Sequence, residues 1–107
     1  MLSRELAQNI SKKMMEVIPY NVNIMNEKGV IIGSGDKNRI GNIHKGAVET
    51  LEKKCVTEVY KDVGGVKSGV NTPIFFRGNV IGVIGITGDP EDVRQFSKLV
   101  SITAELL

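Results

Sequence analysis

The chain has 107 residues, 41% of them hydrophobic and 24% charged, with a formal net charge of +2. That length fits one domain with a real core, near the size at which a partner often adds stability. No apolar run approaches the roughly 20 residues of a membrane helix, the charged N-terminus lacks the apolar stretch of a signal peptide, and the positive charge is scattered rather than gathered into a nucleic-acid footprint.

Leu2, Leu6, Ile10, Met14 and Val17 recur at helical spacing, widened by Met15 and Ile18, and Pro19 ends the pattern, which predicts an amphipathic helix over residues 2–18. Asn21 to Met25 alternates polar with apolar residues, Asn26-Glu27-Lys28-Gly29 is a turn, and Val30 to Gly33 returns, so a β-hairpin is expected. A glycine-rich turn follows and opens a short helix whose apolar face is Ile43, Ala47, Val48 and Leu51, with Asn42 as N-cap and Lys53 and Lys54 at its end. Cys55 is alone, which excludes an internal disulfide; beside Val56 it reads as a small buried hydrophobe.

The second half reads mostly as sheet. Val56 to Tyr60 is a strand, Asp62 to Gly65 a turn, and Val66 to Phe76 an extended segment with a bulge or edge expected near Asn71-Thr72-Pro73, because proline cannot donate to a ladder. Gly78-Asn79 reads as the turn into a strand from Val80 to Thr87. Asp89 as N-cap, Pro90 at the first position, and Glu91 and Asp92 near the dipole's positive end start a last helix. Its apolar residues Val93, Phe96, Leu99, Val100, Ile102, Leu106 and Leu107 cover more circumference than one sheet contact buries. The expectation is a homodimer contact through the terminal helices, and a longer protein of which residues 1–107 are one domain.

The densest chemistry lies in residues 31–44. Gly33, Gly35 and Gly41 permit positive φ or close ligand approach, Arg39 offers a fork of donors suited to a carboxylate, and His44 is the sole histidine. In the strand from Val80 to Thr87, alternation places Ile81, Val83, Gly85 and Thr87 on one face and Gly82, Ile84 and Ile86 on the other, leaving a gap at Gly85 beside the Thr87 hydroxyl. Asn71, next to Pro73, stands where an interrupted ladder frees backbone groups.

Three ordered runs carry a family resemblance over nearly the whole chain: Ile32-Gly33-Ser34-Gly35-Asp36 with Arg39-Ile40-Gly41 and His44, then Gly69-Val70-Asn71-Thr72-Pro73-Ile74, then Gly82-Val83-Ile84-Gly85-Ile86-Thr87-Gly88. The sequence resembles the sugar diacid recognition domain of carbohydrate diacid regulators. The resemblance implies an α/β (α+β) fold, PAS-like or Cache-like, with a mainly antiparallel sheet flanked by N-terminal, internal and C-terminal helices. It also implies an N-terminal sensor in a bacterial transcription regulator, answering to acids such as glucarate, galactarate or glycerate; the cytoplasmic location expected for it follows from the N-terminus lacking a signal peptide. The family's DNA-binding helix-turn-helix lies far C-terminal and is absent from this chain, so DNA contact is expected only through that other domain.

As ligand contacts, the residues singled out are Gly33, Ser34, Gly35, Arg39, His44, Asn71, Gly85 and Thr87. Arg39 is assigned one carboxylate of the acid, His44 a carboxylate or hydroxyl, and the backbone around Gly33 to Gly35 a share of the charge. Asp36 fits better as a turn cap or a partner that orients Arg39, and Lys67 is a further candidate cation. No cofactor or metal is expected. One histidine and one cysteine eleven residues apart supply no nucleophile-base pair or carboxylate dyad, so an enzyme is not expected. The glycine spacing also misses the dinucleotide fingerprint. The rival class is a ligand-free dimerisation module, which leaves the cationic, glycine-rich turn without a purpose.

Overall fold

The computed structural model describes residues 2–62 and 66–106. Helix α1 (Arg4–Met15) is capped by Ser3, whose hydroxyl accepts from the Leu6 N–H at 3.1 Å. It is shorter than the apolar spacing predicts: Glu16 and Val17 close tight turns onto Lys13 and Met14, and Val17 is 78% exposed. The buried face is Ala7, Ile10 and Ser11, and Leu6 stays at the rim. Strands β1 (Val22–Asn26) and β2 (Ile31–Gly33) form the expected hairpin, with the Asn26 side chain accepting from the N–H groups of Lys28 and Val30.

From β2 the chain does not pass straight into a helix. It makes a single 3-10 turn (Lys37–Arg39), capped by Asp36, and folds back along β2, where Ile31 donates to Asn42 O at 2.9 Å and Gly41 donates to Ile31 O at 2.8 Å. Helix α2 (Lys45–Lys53) therefore starts later than expected, its N-cap is His44 rather than Asn42, and Ile43 lies outside it and is exposed. Lys54 ends it in the left-handed region at φ 55°. Cys55 is exposed, against the expectation of burial, because the chain is leaving this helix end for β3.

Strands β3 (Thr57–Val59), β4 (Gly69–Phe76) and β5 (Asn79–Thr87) complete a five-stranded sheet of order β2-β1-β5-β4-β3, antiparallel throughout. The turn expected at Asp62 to Gly65 lies largely outside the described residues. The sequence places an interruption at Asn71 to Pro73, yet β4 runs through it, with Pro73 opposite Val83. The reason is local: β3 pairs only with Gly69 to Asn71, so beyond it one edge of β4 has no strand beside it and the missing proline N–H leaves no ladder bond unmade. On that edge the Phe75 N–H donates to Glu105 Oε2 at 3.1 Å.

The β4–β5 turn is Arg77-Gly78, not Gly78-Asn79. Both central residues have positive φ, 51° and 80°, and Asn79 already pairs with Phe76; a turn of that hand matches the twist of the flanking strands. The irregularity falls just after Ile74, where Ile74 faces Gly82 but Phe75 faces Val80. Ile81 is thus an extra residue on β5. It packs with the main core, opposite to the face that strict alternation assigns it.

Helix α3 (Pro90–Glu105) begins as read, with Asp89 accepting from the Glu91 N–H. Helices α1 and α3 lie on one face of the sheet over the main core, which includes Ala7, Ile10, Val22, Ile24, Ile74, Ile84, Ile86, Val93 and Val100. Helix α2 covers the other face, where Met25, Ile31, Ala47 and Val83 form a smaller cluster. On the outer side of α3, Leu99, Ile102 and Leu106 remain exposed; Leu107, assigned to the same stripe, lies outside the described residues.

Candidate functional site

The α2 face of the sheet is unusually polar for a covered surface. Asn23 of β1 and Asn71 of β4 both lie opposite Gly85 in the ladder, and both side chains are more than 95% buried. A Cβ on Gly85 would come 2.7 Å from Asn71 Oδ1 and 3.2 Å from the Met25 terminal methyl. The bare backbone at residue 85 is therefore what lets the Asn71 carboxamide lie across the strand. The gap expected beside Thr87 exists, but this carboxamide occupies part of it. On the helix side, a Cβ on Gly46 would come 2.7 Å from Asn71 Nδ2, so α2 is let down onto the same group.

Asn23 Oδ1 accepts from Asn21 Nδ2 at 2.8 Å and from Ser34 Oγ at 2.6 Å, while its Nδ2 is buried without a partner among the described residues. An unpaired amide in such a place costs about 1–3 kcal/mol. Nothing in the sequence reading singled out Asn23. Its signal is a polar residue at a strand position whose neighbours on both faces are covered.

His44 stands at the edge of this surface as the N-cap of α2, with Nδ1 accepting from the Ala47 N–H at 3.1 Å. Burial, then the nearby Arg39 guanidinium, hold its pKa below the usual 6.5. The ring is therefore neutral at pH 7, and because Nδ1 is an acceptor, the hydrogen-bond geometry assigns the proton to Nε2, which is left as a donor. Arg39 itself is half-buried and has no ion-pair partner among the described residues.

His44, Asn71, Gly85 and Thr87 line one recess together with Lys67, Ser68, Gly69 and Ile86. Its volume is about 10 Å³, room for about one water molecule. Four of the residues chosen from sequence are thus brought together, and Arg39 lies close enough to act on His44 electrostatically.

Gly33, Ser34 and Gly35 are not part of this recess. Neither glycine has positive φ. Gly33 lets α1 close down, since a Cβ there would meet Ala7 O at 2.5 Å, and Gly35 is packed against the Met15 thioether. Their neighbouring N–H groups are already engaged: Ser34 donates to Gln8 Oε1 at 2.7 Å, Gly35 to Asn21 Oδ1 at 3.0 Å, and Asp36 to Ser34 Oγ at 3.0 Å. A share of ligand charge on this backbone is therefore not available in this conformation. Ser34 and Gly35 instead border an open groove of about 460 Å³ against Gln8, Lys12 and Lys37. Asp36 caps the 3-10 turn through the Asn38 N–H, the structural role expected of it.

Arg94 anchors the start of α3 to β3. It bonds both carboxylate oxygens of Glu58, at 2.6 and 2.8 Å, and the Tyr60 hydroxyl at 2.7 Å, which holds the Glu58 carboxyl below its usual range and raises Arg94. Arg94 and Tyr60 are exposed and Glu58 is half-buried, the geometry of a surface clasp. Among the described residues no group of His, Cys, Asp and Glu is placed to hold a metal ion, and no helix is long and apolar enough to cross a membrane.

The family model described as "Putative sugar diacid recognition" matches residues 2–107. The carbohydrate diacid regulator of Escherichia coli strain K12 is 41% identical over 110 residues, covering 99% of this chain and 29% of that protein. The chain thus spans less than a third of the length of that relative. Among solved structures, a free methionine-R-sulfoxide reductase from Thermoplasma acidophilum aligns at TM-score 0.65 and 19% identity over 96% of this chain and 89% of that one. The sensor domain of the Vibrio cholerae histidine kinase DctB aligns at TM-score 0.58 and 16% identity, over 86% of this chain and 40% of that one. At such identities the likeness is one of fold.

Proposed function

Because the chain belongs to the sugar diacid recognition family, we propose that it is the ligand-sensing domain of a bacterial transcription regulator, binding a sugar diacid or hydroxy acid between the N-terminal end of α2 and the sheet. The coarser identity, a recognition domain of the kind found in a carbohydrate diacid regulator, rests on the family match and the 41% relative. The ligand, the signal and the pairing of two copies are the further steps of this reading, as are its cytoplasmic location and its lack of catalysis.

The observation that carries it is the recess where a neutral His44, Asn71, Thr87 and Lys67 converge over the bare backbone of Gly69 and Gly85. No hydrogen bond holds the Asn71 amide or the Thr87 hydroxyl among the described residues. An acid with hydroxyls along its carbon chain needs that mixture: cations for its ends, from Arg39 and Lys67, and groups that donate or accept for its middle, from His44 Nε2, Asn71 and Thr87.

Room for one water does not hold such an acid, since ligand pockets run to about 300 Å³ and more. Binding must lift the His44–Gly46 end of α2 away from Asn71. A ligand that favours the lifted state shifts the population toward it, by no more than its difference in affinity for the two states. Because β4 and β5 also form the floor under α3, the change reaches the terminal helices, and from there a DNA-binding domain outside this chain.

Thermal-shift and calorimetric titration with glucarate, galactarate, glycerate and a simple dicarboxylate test the reading. A rise in melting temperature with one acid, lost in Arg39→Ala and Thr87→Val, is expected. The absence of any response, with the chain running as a stable dimer, would favour the ligand-free assembly module. That second reading draws on the exposed Leu99, Ile102 and Leu106 of α3.

A further inference from the structure

The opposite face of β4 carries a second cavity. Because β3 is only three residues long, the edge of β4 beyond Asn71 is left open, and α3 passes above it without filling the space. The result is a cavity of about 360 Å³ lined by Lys54, Cys55, Val56, Val70, Thr72, Pro73, Phe75, Arg94, Ser97, Lys98, Ser101 and Glu105. That volume lies in the range of small-molecule sites, unlike the recess at His44.

Its chemistry divides into two parts. Val56, Val70, Pro73 and Phe75 supply apolar wall. Lys54 and Lys98 supply two ammonium groups with no ion-pair partner among the described residues, whereas Arg94 is committed to Glu58 and Glu91. Glu105 closes the far end through its bond to the Phe75 N–H. Thr72 is 5% exposed, and its Oγ1 is buried with no partner among the described residues. Thr72 lines the cavity while its hydroxyl is turned out of reach of it, and an unpaired buried hydroxyl is a cost that folding alone does not explain. A turn about its one side-chain torsion exchanges the hydroxyl and methyl positions.

We propose that this cavity is a second ligand site, for a small monocarboxylic acid with an apolar body, separate from the recess under α2. The carboxylate lies between Lys54 and Lys98 and accepts from the Thr72 hydroxyl, and the hydrocarbon lies along Val56, Val70 and Pro73. Thr72 and Asn71 are neighbours on one strand and face opposite sides of the sheet, so β4 serves both sites, and an acid here bears on α3 directly.

Titration of the ¹⁵N-labelled chain with hexanoate and with benzoate, read by amide shifts, tests the site. Saturable shifts at Thr72, Ser97, Lys98 and Ser101 are expected, with affinity reduced about tenfold by Lys98→Glu, the cost of losing one charged hydrogen bond. Lys54→Asn, which suits the left-handed backbone there, should give a similar loss. Both positions are exposed, so neither change threatens the fold. Shifts that never saturate, that fall only on His44, Asn71 and Gly85, that survive Lys98→Glu unchanged, or that hexanamide reproduces equally well would each overturn the proposal. Glucarate binding at the recess is measured separately, so failure of either site leaves the other standing.

Discussion

The two faces of the sheet differ in what they bury. Under α1 and α3 lies a continuous apolar core of isoleucine, valine and alanine from six elements. Under α2 the apolar cluster is four residues, and beside it lie Asn23, Asn71, Ser34 and Thr50, all more than 95% buried. Buried apolar area stabilises without regard to direction, whereas buried amides stabilise only when every donor is met. The contrast teaches that the α1 and α3 face supplies most of the apolar cohesion, whereas the α2 face depends on buried amides, one donor of which, Asn23 Nδ2, has no partner among the described residues.

The largest effect should come from the core. Ile84→Ala is expected to cost about 4 kcal/mol in urea unfolding, against about 2 kcal/mol for Ile31→Ala under α2, where fewer apolar neighbours surround the cavity. Equal losses would break the comparison. Gly85→Val comes next: the new side chain must displace Asn71, at a cost of about 1–3 kcal/mol, and should abolish any acid-induced rise in melting temperature. A Gly85→Val chain that still responds to the acid would remove Gly85 and Asn71 from the site.

Thr72→Val replaces an unpaired buried hydroxyl with a methyl group and should stabilise the chain by about 1 kcal/mol. Destabilisation instead would mean that the hydroxyl already has a partner.

The smallest effect is a slope with pH. The folded pKa of His44 is depressed, so its contribution is fully present above pH 6.5 and is lost as pH falls through the folded value, where the protonated Nδ1 can no longer accept from Ala47 and a positive charge sits at a helix N-terminus. Urea midpoints should therefore drop as pH falls below 6.5. His44→Asn keeps a good cap and should flatten that part of the curve; an unchanged slope would assign it to other groups.

Much of this architecture is legible in the residues. The hairpin turn, the start of α3 at Asp89-Pro90 and the face of β5 from Val83 to Thr87 all follow from turn chemistry, capping and period-two alternation. What escapes is set by contacts that a single strand or helix does not contain. Pro73 is tolerated because β3 stops short of it, and Ile81 changes face because of one inserted residue. Cys55 is exposed because of where α2 ends. The candidate site divides the same way. His44, Asn71, Gly85 and Thr87 converge as their types suggest, but Gly33 and Gly35 prove to be close-approach positions for α1, and only tertiary packing shows that their N–H groups are already taken. Asn23 was illegible because an asparagine in a strand looks like a solvent-facing residue until both faces are seen to be covered.

The two rims of the sheet are each interrupted rather than long and straight. On one side the stretch 41–44 runs along β2; on the other, β3 is short, Pro73 has no proton to give, and Glu105 holds that of Phe75. Among the described residues a strand from another molecule finds only short stretches of ladder to join, which discourages fibre growth and strand exchange. The broader apolar surface lies instead on the outer side of α3, at Leu99, Ile102 and Leu106.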